Sequence, residues 1–170
     1  MRKKIAIGST KAGLTLKENI KKYLTEKGYE VDDLGMKKKG RFIPYYEVAR
    51  RIASAVSAGK YKKAIIICGT GAGSAIVANK FRGVYAVQAS SEYEGRQAKV
   101  INNANVLTLG EWITPPQHAV KIVEAWLNSK FTEGFEPDWK KFLKDAYQKI
   151  KDIESENLKK VKHKRGGDKK

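Results

Sequence analysis

The sequence predicts an α/β protein in which a parallel β-sheet is covered by helices on both faces. Short β-branched segments alternate with amphipathic segments over most of the 170 residues, which is typical of repeated strand–helix–strand units. Residues 63–68 form an almost uninterrupted apolar run, as expected of a central strand that is buried on both faces. A glycine-rich turn follows this run directly. These observations together predict one well-buried domain with five parallel strands.

In the first half of the chain, a strand is predicted at residues 4–8. Leucine and isoleucine then recur at helical spacing until Gly28, a residue that commonly ends helices. A second strand follows at 29–33, and a basic loop over 35–44 leads to the next helix. The apolar residues of that helix share one face, which is expected to pack on the sheet: Tyr45, Val48, Ala49, Ile52 and Val56.

The second half continues the same alternation of strand and helix. Strands are predicted at 63–68, 84–89 and 106–109, and helices at 73–80, 91–101 and beyond the capping residue Thr114. Gly134 and Pro137 mark a boundary. We predict a main domain over 1–134, a C-terminal amphipathic helix over 135–157 that docks on the body or on a second subunit, and a basic disordered tail over 158–170.

The formal net charge of +17 raises the alternative of a nucleic-acid binder, because lysine and arginine bind polyanions through phosphate contacts. No recognition-helix motif or aromatic strand signature accompanies the charge. Lysines such as Lys17 and Lys21 fall on a predicted helix and are expected on its solvated face. The charge therefore favours solubility over nucleic-acid binding.

Composition also restricts the location of the protein and its chemistry. No apolar run approaches the roughly 18 residues that span a bilayer, and the N-terminal residues lack a secretory signal. We therefore expect a cytoplasmic protein that has no membrane partner. One cysteine cannot form an intrachain disulfide. The two histidines, His118 and His163, assemble no metal site, and neither is expected to be catalytic.

Two glycine-containing turns follow predicted strands, at 8–13 and at 68–74. Neither turn is a Walker loop, and the sequence GTGAG lacks the spacing of a dinucleotide-binding turn. Cys68 ends a buried strand, where unpaired N–H groups and the start of the next helix would stabilise a thiolate. Such a thiolate could act as a base, and the same N–H groups could stabilise an enediolate oxyanion. The alternative is that Cys68 is a small residue of the core.

At these residues the sequence resembles the type-B ribose-5-phosphate isomerases and the related galactose-6-phosphate isomerase subunits. The similarity covers about the first 134 residues and consists of ordered matches to KKIAIGS, GYEVDDLG, PYY, ICGTGAG, ANKFRG, NNANVL and FTEG. This resemblance implies a Rossmann-like three-layer sandwich and a homodimer or tetramer with active sites at subunit interfaces. It also implies aldose–ketose isomerisation through a cis-enediol, without a cofactor or metal.

Carried over residue by residue, the resemblance makes Cys68 the catalytic base and Thr70 the threonine beside the sugar ring oxygen. It thereby favours a catalytic role for Cys68 over a place in the core. The expected substrate-binding residues are Ser9, Thr10, Lys11, Tyr46, Gly69, Gly71, Gly73, Ser74, Lys99 and Asn102.

The chain departs from the family pattern at the groups that open the sugar ring and bind phosphate. The ring-opening histidine falls on Ile101, a phosphate arginine falls on Trp112, and an arginine-rich segment is replaced by residues 133–139. An aromatic residue is not a conservative replacement for a phosphate-binding arginine. These departures indicate a different substrate: a short sugar phosphate, an open-chain or unphosphorylated sugar, or a uronate, with Lys11, Lys99 or a tail lysine as the anion contact. A sugar-binding protein without catalysis is the alternative.

Overall fold

The structure is a computed structural model that describes residues 3–164. The described residues form a five-stranded, entirely parallel sheet of order β2-β1-β3-β5-β4. Its strands are β1 (Lys4–Ser9), β2 (Glu30–Asp33), β3 (Ala64–Cys68), β4 (Ala86–Gln88) and β5 (Val106–Gly110). The helices are α1 (Leu14–Glu26), α2 (Tyr45–Ser57), α3 (Ala72–Ala78), α4 (Glu92–Val100), α5 (Pro116–Asn128) and α6 (Pro137–Lys164). The predicted α/β class and the five parallel strands are confirmed.

Both faces of the central strands are buried. Successive side chains of a strand point to opposite faces, so alternate residues belong to two different cores. Ile5 and Ile65 belong to a core on the face that α1 and α5 cover. Ala6 and Ile66 belong to a second core, which α2 and α3 cover. Each fully buried isoleucine contributes about 1.5–3 kcal/mol relative to an exposed one. The continuous apolar run at 63–68 therefore reflects a strand with no solvent-facing side.

β4 is shorter than the predicted strand at 84–89, for a reason that lies in its neighbours. The strand pairs only with β5. Just before and at its start, the N–H of Tyr85 donates to Asn105 Oδ1 (2.8 Å) and the N–H of Ala86 donates to Asn79 Oδ1 (2.7 Å). Because side chains accept these hydrogen bonds, the backbone there is satisfied without a longer ladder.

The chain divides into two compact units, residues 1–131 and 132–170, close to the predicted boundary at 134. The first unit contains the sheet and the helices through α5. The second contains α6, which continues to Lys164 and so enters the segment predicted to be a disordered tail. The helix extends because the sequence has no glycine or proline between Pro137 and Gly166. Residues 165–170 of the predicted tail lie outside the described residues.

One lysine of α1 is not where the sequence places it. Lys17 is expected on a solvated face, but its side chain is fully buried. Burial is possible because Asp33 Oδ2 lies 3.0 Å from the ammonium and the Met36 carbonyl accepts a hydrogen bond from it.

None of the helices in the described part of the chain is long and apolar enough to span a bilayer.

Candidate active site

A cavity lies at the carboxyl ends of β1 and β3. The chain leaves β1 for α1 on one face of the sheet and leaves β3 for α3 on the other. The two turns diverge, and crevices of this kind are where open α/β sheets bind ligands. The cavity has a volume of about 420 Å³ and is lined by Thr10, Lys11, Ala12, Phe42, Pro44, Tyr45, Tyr46, Cys68, Gly69, Thr70, Gly73 and Trp112.

Cys68 is the last residue of β3 and has only 5% of its surface exposed. The backbone N–H of Gly71 donates a hydrogen bond to its Sγ, at an N···S distance of 3.1 Å. Gly71 has φ +86°, a conformation that other residues adopt only with strain. This turn orients the sulfur while leaving it at the edge of the cavity.

The glycines on either side of this turn allow aromatic rings to approach the backbone. A Cβ atom on Gly69 would lie 2.7 Å from the ring of Trp112, and a Cβ atom on Gly73 would lie 2.8 Å from the ring of Tyr45. Neither distance is compatible with a side chain unless the aromatic ring moves. The 69–73 backbone is therefore closely packed between two rings.

The opposite wall is formed by the turn after β1. The N–H of Thr10 donates to the carbonyl of Ile67 (3.1 Å), which ties this turn to β3. Thr10 is largely buried, and Lys11 begins a single 3-10 turn before α1. Of the cavity-lining residues in the part of the chain that the structure describes, Lys11 alone carries a charge. The cavity therefore combines one cation, one thiol and the threonine hydroxyls with largely apolar walls.

The structure brings seven of the predicted site residues into the cavity lining: Thr10, Lys11, Tyr46, Cys68, Gly69, Thr70 and Gly73. Gly71 does not line the cavity but contacts the sulfur. Ser9 and Ser74 are fully buried, and their hydroxyls have no hydrogen-bond partner among the described residues. Neither serine lines the cavity.

Lys99 and Asn102 lie at the other end of the sheet. α4 runs back toward the amino ends of the strands, so Lys99 in its last turn neighbours Lys63, which precedes β3. Burial lowers the pKa of Lys99, whose ammonium donates to Asn103 Oδ1. Asn102 is exposed in the turn before β5. The structure therefore separates both residues from the cavity of their own chain.

The aromatic wall of the cavity consists of Phe42, Tyr45, Tyr46 and Trp112. Of these four residues, the sequence assigns only Tyr46 to the site. Tyr45 is expected on the buried face of α2, but it is 45% exposed and lines the cavity with Phe42. The available signal was the pair Tyr45–Tyr46 at a helix start, where large aromatic residues have little core to fill. Their rings meet edge to face with centroids 5.6 Å apart. Trp112, at the position of a family arginine, is 76% exposed.

Within the described residues, no group of three or more histidine, cysteine or carboxylate side chains could hold a metal ion. Glu111, the carboxylate nearest to Trp112 in sequence, does not line the cavity. Its Oε2 accepts a hydrogen bond from the N–H of Leu16 (3.0 Å) in the first turn of α1. A carboxylate at a helix start is a stabilising arrangement.

Comparison with known proteins shows which family the chain belongs to. The model of the family described as Ribose/Galactose Isomerase matches residues 5–142. The 4-deoxy-4-sulfo-D-erythrose isomerase of Clostridium sp. (strain MSTE9) is 44% identical, over 89% of this chain and 95% of the relative. The D-erythrulose-4-phosphate isomerase of Pectobacterium atrosepticum is 40% identical, over 76% of this chain and 86% of the relative.

Two solved structures share the fold over nearly their full length. The ribose-5-phosphate isomerase B of Clostridium thermocellum has a TM-score of 0.81 and 35% identity, covering 91% of this chain and 99% of its own. The enzyme of Mycoplasma genitalium with bound ribulose-5-phosphate has a TM-score of 0.82 and 33% identity, covering 92% and 99%. The chain therefore belongs to the ribose/galactose isomerase family and is a sugar isomerase that interconverts aldoses and ketoses.

Proposed function

We propose that this isomerase acts on a four-carbon sugar with an anionic group on C4, and that Cys68 is its catalytic base. The observation that carries the proposal is the turn after β3, where the only cysteine of the chain meets the cavity and accepts a hydrogen bond from the N–H of Gly71. The thiolate of Cys68 would remove the proton from the carbon next to the carbonyl.

The proton transfer is balanced without a cofactor. The C–H electron pair forms the carbon–carbon double bond of a cis-enediolate, and the carbonyl electrons move to its oxygen. Backbone N–H groups of the 69–73 turn other than that of Gly71, together with the hydroxyl of Thr70, would stabilise that oxyanion; Gly69, Thr70 and Gly73 line the cavity. Return of the proton to the neighbouring carbon completes the conversion of aldose to ketose.

The absence of the ring-opening histidine fits a substrate that cannot form a ring. A four-carbon aldose closes a five-membered ring only through the oxygen on C4. When C4 carries a sulfonate, or when its oxygen carries a phosphate, this closure is blocked and the sugar stays open-chain. Such a substrate needs no ring-opening group, so isoleucine at position 101 is compatible with turnover.

The charge of the cavity favours a sulfonate over a phosphate. A phosphate monoester carries a charge of about −1.5 to −2 at neutral pH, and arginines usually bind it in bidentate fashion. Here Lys11 supplies one positive charge and Trp112 replaces the arginine. A sulfonate carries one negative charge, which one lysine can balance. The Clostridium relative is named for a sulfonated tetrose, and a tetrose phosphate is the second candidate.

The proposal includes a homodimer or tetramer in the cytoplasm, with the site at a subunit interface. It is supported by large apolar side chains exposed beside the cavity, namely Phe42, Tyr46, Trp112 and Ile113. Exposed apolar patches of this kind mark association surfaces. A partner copy could also bring the amino-end residues Lys99 and Asn102 to the cavity, which a single chain does not do.

The test is turnover of 4-deoxy-4-sulfo-D-erythrose, D-erythrulose 4-phosphate and ribose 5-phosphate in deuterated water. We expect turnover of the sulfonated tetrose, with deuterium incorporated next to the carbonyl, and Cys68→Ser should lower kcat by about 10²–10⁴-fold. An unchanged thermal unfolding temperature would show that Cys68→Ser is folded. Exchange that persists in Cys68→Ser would exclude Cys68 as the base. Thermal stabilisation by these sugars without turnover by the wild type would instead indicate a binding protein.

A further inference from the structure

Lys17 and Asp33 form a buried ion pair beside the turn that carries Thr10 and Lys11. The ammonium of Lys17 lies 3.0 Å from Asp33 Oδ2, and the two side chains are 0% and 6% exposed. The same ammonium donates a hydrogen bond to the carbonyl of Met36. Lys17 therefore holds both ends of the short segment 33–36, which follows β2.

Asp33 is the centre of a larger group of contacts. Its Oδ1 accepts a hydrogen bond from the N–H of Gly35 (3.1 Å), and its Oδ2 lies 3.1 Å from both Lys21 and Lys37. Burial alone would raise the pKa of Asp33, but the hydrogen bonds from Lys17 and Lys37 lower it to about 2. The carboxylate is thus ionised at neutral pH, and Lys17, Lys21, Lys37 and the N–H of Gly35 all contact it.

This segment packs directly on the end of β1. The N–H of Met36 donates to the carbonyl of Ser9 (2.8 Å), and a Cβ atom on Gly35 would lie only 2.2 Å from the nitrogen of Ser9. Ser9 is followed at once by Thr10 and Lys11, the polar wall of the cavity. The contacts form a closed circuit from Lys17 through Asp33 and Met36 to Ser9, and back along the chain through Lys11.

A buried ion pair is a poor way to gain stability, because apolar side chains of similar volume often stabilise as well or better. What the pair provides is a fixed geometry with directed hydrogen bonds. We infer that Lys17 and Asp33 are positioning residues that hold Thr10 and Lys11 at the distance from Cys68 that the substrate requires. The effect on substrate rests on the proposed function, whereas the effect on the backbone does not.

The backbone effect is measured by amide hydrogen exchange in Lys17→Met, Asp33→Asn and Lys21→Met. Lys21 is the matched control, since it also pairs with Asp33 but is 28% exposed and has no bond to Met36. We expect at least about tenfold faster exchange at Thr10 and Met36 in Lys17→Met and Asp33→Asn, and no change at β5. Lys21→Met should exchange like the wild type. If Lys17→Met does not fold, Asp33→Asn decides the matter.

The kinetic effect is measured on the anionic sugar that the wild type turns over best. A shift of about 1 Å in a binding group can cost about 10²-fold in rate, so we expect kcat/KM to fall about 10- to 100-fold in Lys17→Met, mainly through KM. Lys17→Arg should restore most of the loss, and Lys21→Met should show none. Lower thermal stability with unchanged KM and unchanged exchange at Thr10 would overturn the inference. A wild type without turnover would contradict the proposed function alone, because the exchange measurement still tests the positioning role.

Discussion

At the scale of single residues, Gly71 combines a structural requirement with a chemical one. Its φ of +86° is costly for other residues, and a Cβ atom would lie 3.0 Å from the carbonyl carbon of Leu109. In the left-handed region a non-glycine residue costs about 1–2 kcal/mol. We expect Gly71→Ala to lower stability by about that amount and to lower kcat by at least about tenfold, since the displaced N–H no longer orients Cys68.

Gly59 provides a matched control, because it has φ +76° at the end of α2 and a Cβ atom there would meet nothing within 4 Å. Gly59→Ala should lose a similar amount of stability through the backbone alone and keep full activity. Thermal unfolding and initial rates on the same samples separate the two effects. Equal rates for the two variants would show that the Gly71 hydrogen bond is dispensable.

The residues of the β3 turn could be predicted from sequence because glycines and one cysteine in a fixed order leave few arrangements. The aromatic wall could not be predicted in the same way. Phe42 lies in a loop without periodicity, and Tyr45 occupies a helical position that would equally suit the core. Whether such a residue faces a cavity or the sheet depends on how the 35–44 loop crosses the end of β1, which is a tertiary property.

At the scale of elements, the strands buried on both faces could be predicted from sequence, whereas the burial of polar residues on the helices could not. The apolar run of β3 has one interpretation in an alternating sequence. A lysine on α1 has two possible positions, on the solvated face or in the interior. It can be buried when an aspartate of β2 forms an ion pair with it, as Asp33 does with Lys17. The lysine-rich segment after residue 157 is likewise compatible with either a helix or a disordered tail, and α6 continues through it to Lys164.

Lys63, just before β3, makes the amino end of that strand sensitive to pH. Burial, with Lys99 and Lys3 nearby, lowers its pKa from 10.5 to about 8. Its ammonium lies 5.3 Å from the centroid of the Trp126 ring. Below pH 8 the charged form is present in both the folded and the unfolded states, and the folded state bears the desolvation penalty. Between pH 8 and 10.5 the folded state binds fewer protons, so stability rises with pH relative to a variant without this amine.

We therefore expect Lys63→Met to be more stable than the wild type at about pH 7, by about 1 kcal/mol after allowance for solvent screening. For a chain of this size that difference corresponds to about 2–4 °C in Tm. The difference should shrink as the pH approaches 10. Lys62→Met changes the neighbouring exposed lysine and should show no such trend. A Tm difference for Lys63→Met that is constant across this range would contradict the lowered pKa.

At the scale of the whole molecule, the order of the strands determines where the cavity lies, and the charge of the chain determines the electrostatic potential around it. The diverging turns after β1 and β3 bring Lys11 and Cys68 to one cavity although they are far apart in sequence. This convergence was predictable once β1 and β3 were recognised as parallel strands, because their carboxyl ends share one edge of the sheet. What the strand pattern could not give is the electrostatic environment, which sums charges over the entire surface.

The net charge of +17 should attract an anionic substrate to the cavity over distances beyond direct contact. Because the Debye length shortens to less than about 10 Å above 0.1 M salt, we expect kcat/KM for the sulfonated tetrose to fall about 3- to 10-fold between about 20 and 300 mM NaCl. 4-Deoxy-D-erythrose is the matched control, since it is equally unable to close a five-membered ring but carries no charge. Its kcat/KM should be nearly independent of salt.

Lys11→Gln should lower kcat/KM for the sulfonated tetrose at every salt concentration. It should keep most of the salt dependence, because the remaining lysines and arginines still attract the anion over long distances. Equal salt dependence for the charged and uncharged sugars would show that salt acts on the protein itself and that the basic surface has no part in substrate capture.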